Sequence, residues 1–266
     1  MNLVETEITD GVMTITLADE PRRNALSRQL LSELVAAIDL VDQDPDVRVA
    51  VLTNRGSVFC AGANLAENTS PAPIPDGGRS IGMGGLFERI RHSPKPFIGR
   101  LAGHCVAGGV GLAAVMDISV AIDSAKFGFT EVRVGVAPAM ISVVCLPKMR
   151  LADARSAFLR GNRFLAGEAA RMGLINKAVP VEELDEEIAL IVNDLLAGEP
   201  HAIAKAKQLT MVVPSLPVDE AFAWTTQLSG ELFASDEARE GMAAFLEKRP
   251  ASWVRHLSTD ESTETT

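Results

Sequence analysis

At 266 residues the chain falls between one large α/β domain and a core domain with a smaller appendage. Its 47% hydrophobic and 23% charged residues are the proportions of a folded globular protein, which excludes wholesale disorder or a fibrous repeat. Thirty-five acidic residues against 25 basic ones give a formal charge of −10. Such a surface repels a phosphate backbone, so nucleic acid is not an expected partner. Cys60, Cys105 and Cys145 have no CxxC spacing, fit neither a disulfide framework nor a zinc site, and point to a reducing cytoplasmic setting. Met1 to Asp10 lacks the basic start and apolar stretch of a signal peptide. The weakly polar run Leu101 to Met116 is broken by His104 and four glycines, too short and interrupted for a membrane span, so no membrane partner is expected.

In chain order, β-formers at Val4 to Ile8 and Val12 to Leu17 flank Asp10-Gly11, a dipeptide suited to a tight hairpin. Ser27 then caps a helix whose apolar positions are Leu30, Leu31, Leu34, Ile38 and Val41, and Val47 to Thr53 reads as a buried strand. From Glu67 to Gly85 the sequence is rich in Pro, Gly, Ser and Asn and reads as a surface loop of functional length, a lid candidate. Pro96 to Leu101 predicts a strand, Gly108 to Met116 a glycine-rich helix, and Ile118 to Ile122 another β segment. Beyond Leu151 the periodicity predicts helices over Ala152 to Leu159, Glu182 to Leu196, Ala202 to Met211, Val218 to Phe233 and Asp236 to Lys248, with one β-like segment at Leu174 to Val179. The polar end, Ser258 to Thr266, is expected to be disordered.

Two motifs are set aside on context. Gly78-Arg79-Ser80-Ile81-Gly82 has GxSxG spacing but follows a proline-rich stretch, where a nucleophile elbow needs a strand. Gly109 to Ala114 has dinucleotide-fingerprint spacing, but Ile118 starts the next β segment too soon for the crossover helix. The four histidines are scattered without ligand spacing, so no metal site is expected, and Met83, Met140, Met149 and Met172 read as core filler. Two small-residue turns remain, each after a strand: Phe59-Cys60-Ala61-Gly62-Ala63-Asn64-Leu65, and Gly103 to Leu112. Small residues let a ligand approach the backbone, and the first amides of a helix lack partners, so two such turns can aim two N–H donors at one oxygen. Either turn alone is better read as a tight packing site.

Together they resemble the crotonase, or enoyl-CoA hydratase/isomerase, superfamily. The resemblance runs through Pro21 to Leu26, Phe59 to Ala63, the glycine turn at Gly108, Phe127-Gly128-Phe129-Thr130-Glu131-Val132-Arg133-Val134-Gly135, Gly173-Leu174-Ile175-Asn176, and Glu240 to Pro250. It implies an α/β fold: a crotonase-like spiral of ββα units with the acyl-CoA site over residues 1–200, and a helical trimerisation region with an acidic tail over 201–266. It implies an oxyanion hole from the N–H groups of Ala63 and Gly108, with Glu131 as the carboxylate that exchanges a proton with the α or γ carbon. Ala61, Gly62, Asn64, Leu65 and Gly111 are implied around the substrate, and Phe245 and Lys248, three apart on the last helix, as reaching CoA from a neighbouring subunit. The protein would be a homotrimer or a dimer of trimers, with no cofactor beyond the CoA thioester substrate. Hydratases of the usual kind place a second glutamate where this chain has Gly111, so a single carboxylate resembles the isomerases. Gly109-Val110-Gly111-Leu112 with Pro138-Ala139-Met140-Ile141-Ser142 resembles bacterial hydratase-like members, some with branched methylglutaconyl-type substrates. Gly111 would enlarge the pocket for a branched acyl group or a water. A hydratase-like enzyme is the first expectation, an isomerase the second, and a non-catalytic acyl-CoA-binding protein the third.

Overall fold

A computed structural model describes residues 2–68 and 82–257. Residues 69–81 of the lid candidate, most of the GxSxG motif and the tail from Ser258 lie outside them. Strands β1 (Val4–Thr9) and β2 (Val12–Leu17) form the opening hairpin, with Asp10 and Gly11 at φ 52 and 80 in its turn. Helix α1 (Arg28–Gln43) starts where predicted because Ser27 Oγ accepts from Leu30 N at 3.1 Å, satisfying one of the free first-turn donors.

The next segments repeat a two-strands-then-helix unit. Strand β3 (Val49–Asn54) leads into β4 (Val58–Cys60), then α2 (Leu65–Asn68) and α3 (Met83–His92). Strand β5 (Phe97–Leu101) leads into β6 (His104–Val106) and α4 (Gly108–Val115). Strand β7 (Ile118–Ile122) leads into β8 (Lys126–Gly128), a 3-10 turn over Thr130–Val134, α5 (Ala139–Cys145) and α6 (Leu151–Arg160). Then come β9 (Phe164–Leu165), α7 (Ala166–Arg171), β10 (Lys177–Val179), α8 (Leu184–Ala197), α9 (Pro200–Val212), α10 (Val218–Phe233) and α11 (Asp236–Glu247). The first strand of each pair joins a six-stranded sheet ordered β1-β2-β3-β5-β7-β10, parallel apart from the hairpin. The second joins a four-stranded sheet ordered β4-β6-β8-β9. This alternation between two sheets is the spiral of ββα units.

The six-stranded sheet is covered on both faces, which explains the unbroken apolar run of β3. Val49 and Val51 face Leu184, Ile188, Val192 and Leu196 of α8, while Ala50 and Leu52 face the main core with Leu30, Leu34 and Phe97. Each large aliphatic side chain so buried contributes about 1.5–3 kcal/mol. Lys207 ties α9 to this body through Asp117 at 2.8 Å and the carbonyls of Ile90 and Lys95.

Three expectations need correction. The stretch read as loop from Glu67 to Gly85 contains the end of α2 and the start of α3. The β-like segment at Leu174 to Val179 is a strand only over Lys177–Val179, Leu174 and Ile175 being buried ahead of it. Helix α11 stops at Glu247, and Lys248 is its left-handed cap at φ 56, so it has left the helical register shared with Phe245.

Candidate active site

The two turns singled out in the sequence meet because β4 and β6 pair in parallel, with Val58 opposite His104 and Cys60 opposite Cys105. Each chain leaves its strand at the same end of the four-stranded sheet. Gly62 adopts φ +88, and a Cβ there would lie 2.9 Å from Gly108 N and 2.9 Å from Ala107 Cβ. A larger residue would push the turns apart and would be strained at that φ. Ala107, the residue ahead of α4, is held at φ 50, ψ −123, a conformation non-glycine residues rarely adopt and one that concentrates at functional sites. Its N–H donates to Gly128 O at 2.9 Å, leaving Gly108 as the first amide of the helix. Among the described residues, neither Ala63 N–H nor Gly108 N–H donates to a protein acceptor. Two donors without an acceptor among the described residues are thus carried on adjoining turns, and a Cβ at Gly108 would lie 3.3 Å from Gly62 Cα.

Glu131 reaches this place on the 3-10 turn that follows β8. Phe127 and Phe129 are fully buried beneath it, with Phe129 against Phe158 at 4.2 Å between ring centroids. Arg133 Nη2 donates to Arg160 O at 2.7 Å and pins the far side of the turn. Ala61, Ala63, Leu65, Ala107, Gly108 and Glu131 all line one cavity of about 510 Å³, completed by Met83, Thr130, Val134 and the run Val136 to Ile141. The wall is mainly apolar, with Glu131 its one ionisable side chain among the described residues. The carboxylate Oε2 is buried without a hydrogen-bond partner. Loss of solvation raises the Glu131 pKa above the ordinary 4.5, its own backbone N–H opposing in part. A carboxylate that is half-buried and under-satisfied, in one cavity with two amides that have no acceptor among the described residues, can take and return a proton near a developing oxyanion.

Not every implied residue joins the cavity. Gly62 stands behind it, packing the turns together. Asn64 spends its side chain on α2, accepting from Ala66 N at 3.2 Å and donating to Glu67 Oε1 at 3.2 Å. Gly111 does not line the cavity and leaves no spare room. A Cβ there would lie 2.4 Å from Ile141 Cγ2 and 2.9 Å from Phe87 Cζ, so the expectation of an enlarged pocket is wrong. Phe245 is 83% exposed and, like Lys248, lies outside this cavity. Met83 and Met140, read as core filler, are wall residues, and Met140 is 52% exposed. The Val136 to Ile141 segment carries no titratable group, which is why its place in the wall is invisible to a search for reactive side chains. Cys60, beside the first turn, is buried, and desolvation pushes its thiol up to about 12, which leaves it unreactive. Among the described residues no cluster of three or more His, Cys, Asp or Glu is placed to hold a metal.

Known proteins are similar to this chain over nearly its whole length. The family model described as Enoyl-CoA hydratase/isomerase matches residues 7–256. Enoyl-CoA hydratase EchA19 of Mycobacterium tuberculosis is 34% identical over 241 residues, 89% of this chain and 91% of that protein. The Short-chain-enoyl-CoA hydratase of Clostridium acetobutylicum is 30% identical over 253 residues, 94% of this chain and 96% of its own. Among solved structures, an enoyl-CoA hydratase from Mycobacterium smegmatis superposes with a TM-score of 0.87 at 29% identity, covering 95% of this chain and 99% of that one. With the family model spanning nearly the whole sequence and the crotonase spiral present in the fold, this chain belongs to the enoyl-CoA hydratase/isomerase family.

Proposed function

We propose that the protein hydrates a 2-enoyl-CoA, with the thioester carbonyl held by the N–H groups of Ala63 and Gly108 and with Glu131 as the single proton carrier. The observation that carries this reading is the unpartnered Glu131 Oε2 in the same cavity as two amides that have no acceptor among the described residues. Water adds through its oxygen to the β-carbon, the π electrons move to the thioester oxygen, and Glu131 takes the water's proton. The enolate then collapses, and the same proton passes to the α-carbon. Each donor to the oxyanion contributes about 3 kcal/mol to the transition state in comparable sites. The names of the relatives support hydration. The single carboxylate supports a second reading, isomerisation of a 3-enoyl-CoA, in which Glu131 removes the α-proton and returns it to the γ-carbon.

Glu131→Gln keeps the size of the side chain but cannot accept a proton. Turnover of crotonyl-CoA or of a 3-enoyl-CoA is expected to fall by about 10²–10⁴-fold, with affinity for a saturated acyl-CoA retained. Wild-type rates in this variant refute Glu131 as the proton carrier. Acyl-CoA binding by a wild-type protein that turns over neither ester leaves the third reading, a binding protein.

A homotrimer or dimer of trimers, built on the helices after Pro200, accompanies this reading. It is supported by the exposure of Phe222, Phe233, Phe245 and Leu246 on α10 and α11, at 69%, 68%, 83% and 78%, since apolar groups so exposed on one region mark contact surfaces. Sedimentation of a monomer at micromolar concentration refutes it.

A further inference from the structure

The space above Gly111 is filled from another element. Helix α5 delivers Ile141, 2% exposed, onto α4, and α3 delivers Phe87, 3% exposed, behind it. Any side chain at position 111 would begin 2.4 Å from Ile141 Cγ2 and 2.9 Å from Ile141 Cβ. Gly111 and Ile141 are therefore a matched pair, one vacating the volume that the other occupies. Ile141 also belongs to the wall of the cavity that holds Glu131 and Gly108, whereas Gly111 does not. The residues beside it in that wall, Val136, Ala137, Pro138, Ala139 and Met140, bring neither charge nor hydrogen-bonding side chain.

We infer that Ile141 is the residue that discriminates between acyl groups, closing the cavity with a branched aliphatic stop that admits short, uncharged acyl chains and rejects longer ones and those with a second carboxylate. This rests on the acyl-CoA reading given above. Size discrimination follows because Ile141 is backed by Phe87 and Gly111 and has no free volume to retreat into, as interiors are close-packed. Rejection of an acidic acyl group follows because, among the described residues, the cavity's one ionisable side chain is itself a carboxylate, and a second would be desolvated beside it with no cation of the described wall to pair with.

The test is acyl-CoA affinity, read by calorimetry with saturated esters that cannot react: butyryl-CoA, hexanoyl-CoA, octanoyl-CoA and glutaryl-CoA. Wild-type protein is expected to bind butyryl-CoA best and glutaryl-CoA least. Ile141→Ala should raise the ratio of hexanoyl-CoA to butyryl-CoA affinity by about tenfold, the low end of what a methylene-sized change in an apolar pocket is worth. Ile141→Val, which removes one methyl group and threatens the fold far less, should move the same ratio in the same direction by a smaller factor. Neither variant should improve glutaryl-CoA binding. An unchanged ratio in both variants, or an equal loss for every chain length, overturns the inference, as does wild-type affinity for glutaryl-CoA matching that for butyryl-CoA. Failure of the unaltered protein to bind any CoA ester overturns instead the functional reading, and this one with it.

Discussion

Gly111→Ala adds one methyl group at a position where the fold has none to spare. The new Cβ would stand 2.4 Å from Ile141 Cγ2 and 2.9 Å from Phe87 Cζ, against about 3.5–4.0 Å for carbon atoms in favourable contact. Overpacking of this kind costs about 1–3 kcal/mol. The upper end applies, since the closest atom sits on a buried, β-branched residue with few rotamers. Replacing glycine by alanine inside α4 returns about 1 kcal/mol of helix propensity. A net loss of about 2 kcal/mol remains, which for a chain of this size lowers Tm by roughly 4–8 °C. Thermal melts followed by far-UV circular dichroism, at one fixed protein concentration because assembly moves Tm, measure it. The same change in an Ile141→Ala background should cost about 1 kcal/mol less, because the nearest atom is gone. A Gly111→Ala protein that melts with the wild type, or an equal penalty in both backgrounds, refutes the paired-packing argument. By the same geometry Gly111→Glu starts its side chain at the same 2.4 Å approach to Ile141 Cγ2, so it should melt below Gly111→Ala.

Three further outcomes are expected. Because desolvation raises the Glu131 pKa and the proton carrier must start ionised, kcat/KM should rise with pH through an acid limb above the ordinary glutamate value of 4.5; a limb at or below 4.5 contradicts this. Ionising Glu131 is harder in the folded chain than in the unfolded one, so its contribution to stability is full below the unfolded pKa and is lost as pH rises through the raised folded value. Glu131→Gln should therefore gain stability relative to wild type between acid and neutral pH, and chemical denaturation at both ends of that window would show no such gain if the carboxyl were fully solvated. Lys248→Ala, at the exposed cap of α11, should weaken CoA-ester binding while leaving sedimentation unchanged; equal affinity in the variant removes Lys248 from the nucleotide site.

What could be read from the chain alone was whatever short-range chemistry encodes. Asp10-Gly11 specifies the hairpin because its turn needs positive φ, and Ser27 starts α1 because its hydroxyl satisfies a first-turn amide. The two turns that meet at Gly62 and Gly108 were visible as small residues after strands, and Glu131 through its matched motif. Strands of two or three residues such as β4, β6 and β9 escaped notice, because so short a run has no period to detect. Their pairing nevertheless carries Gly62 onto Gly108 and so brings the two turns together. The meaning of Gly111 was likewise inaccessible, since a missing side chain reads as space until the structure shows Ile141 occupying it. Capping, turn and amphipathic signals act between near neighbours in the chain and survive in the bare sequence. Which atoms fill a given volume is settled by close packing between segments distant in sequence, and only the tertiary structure decided that.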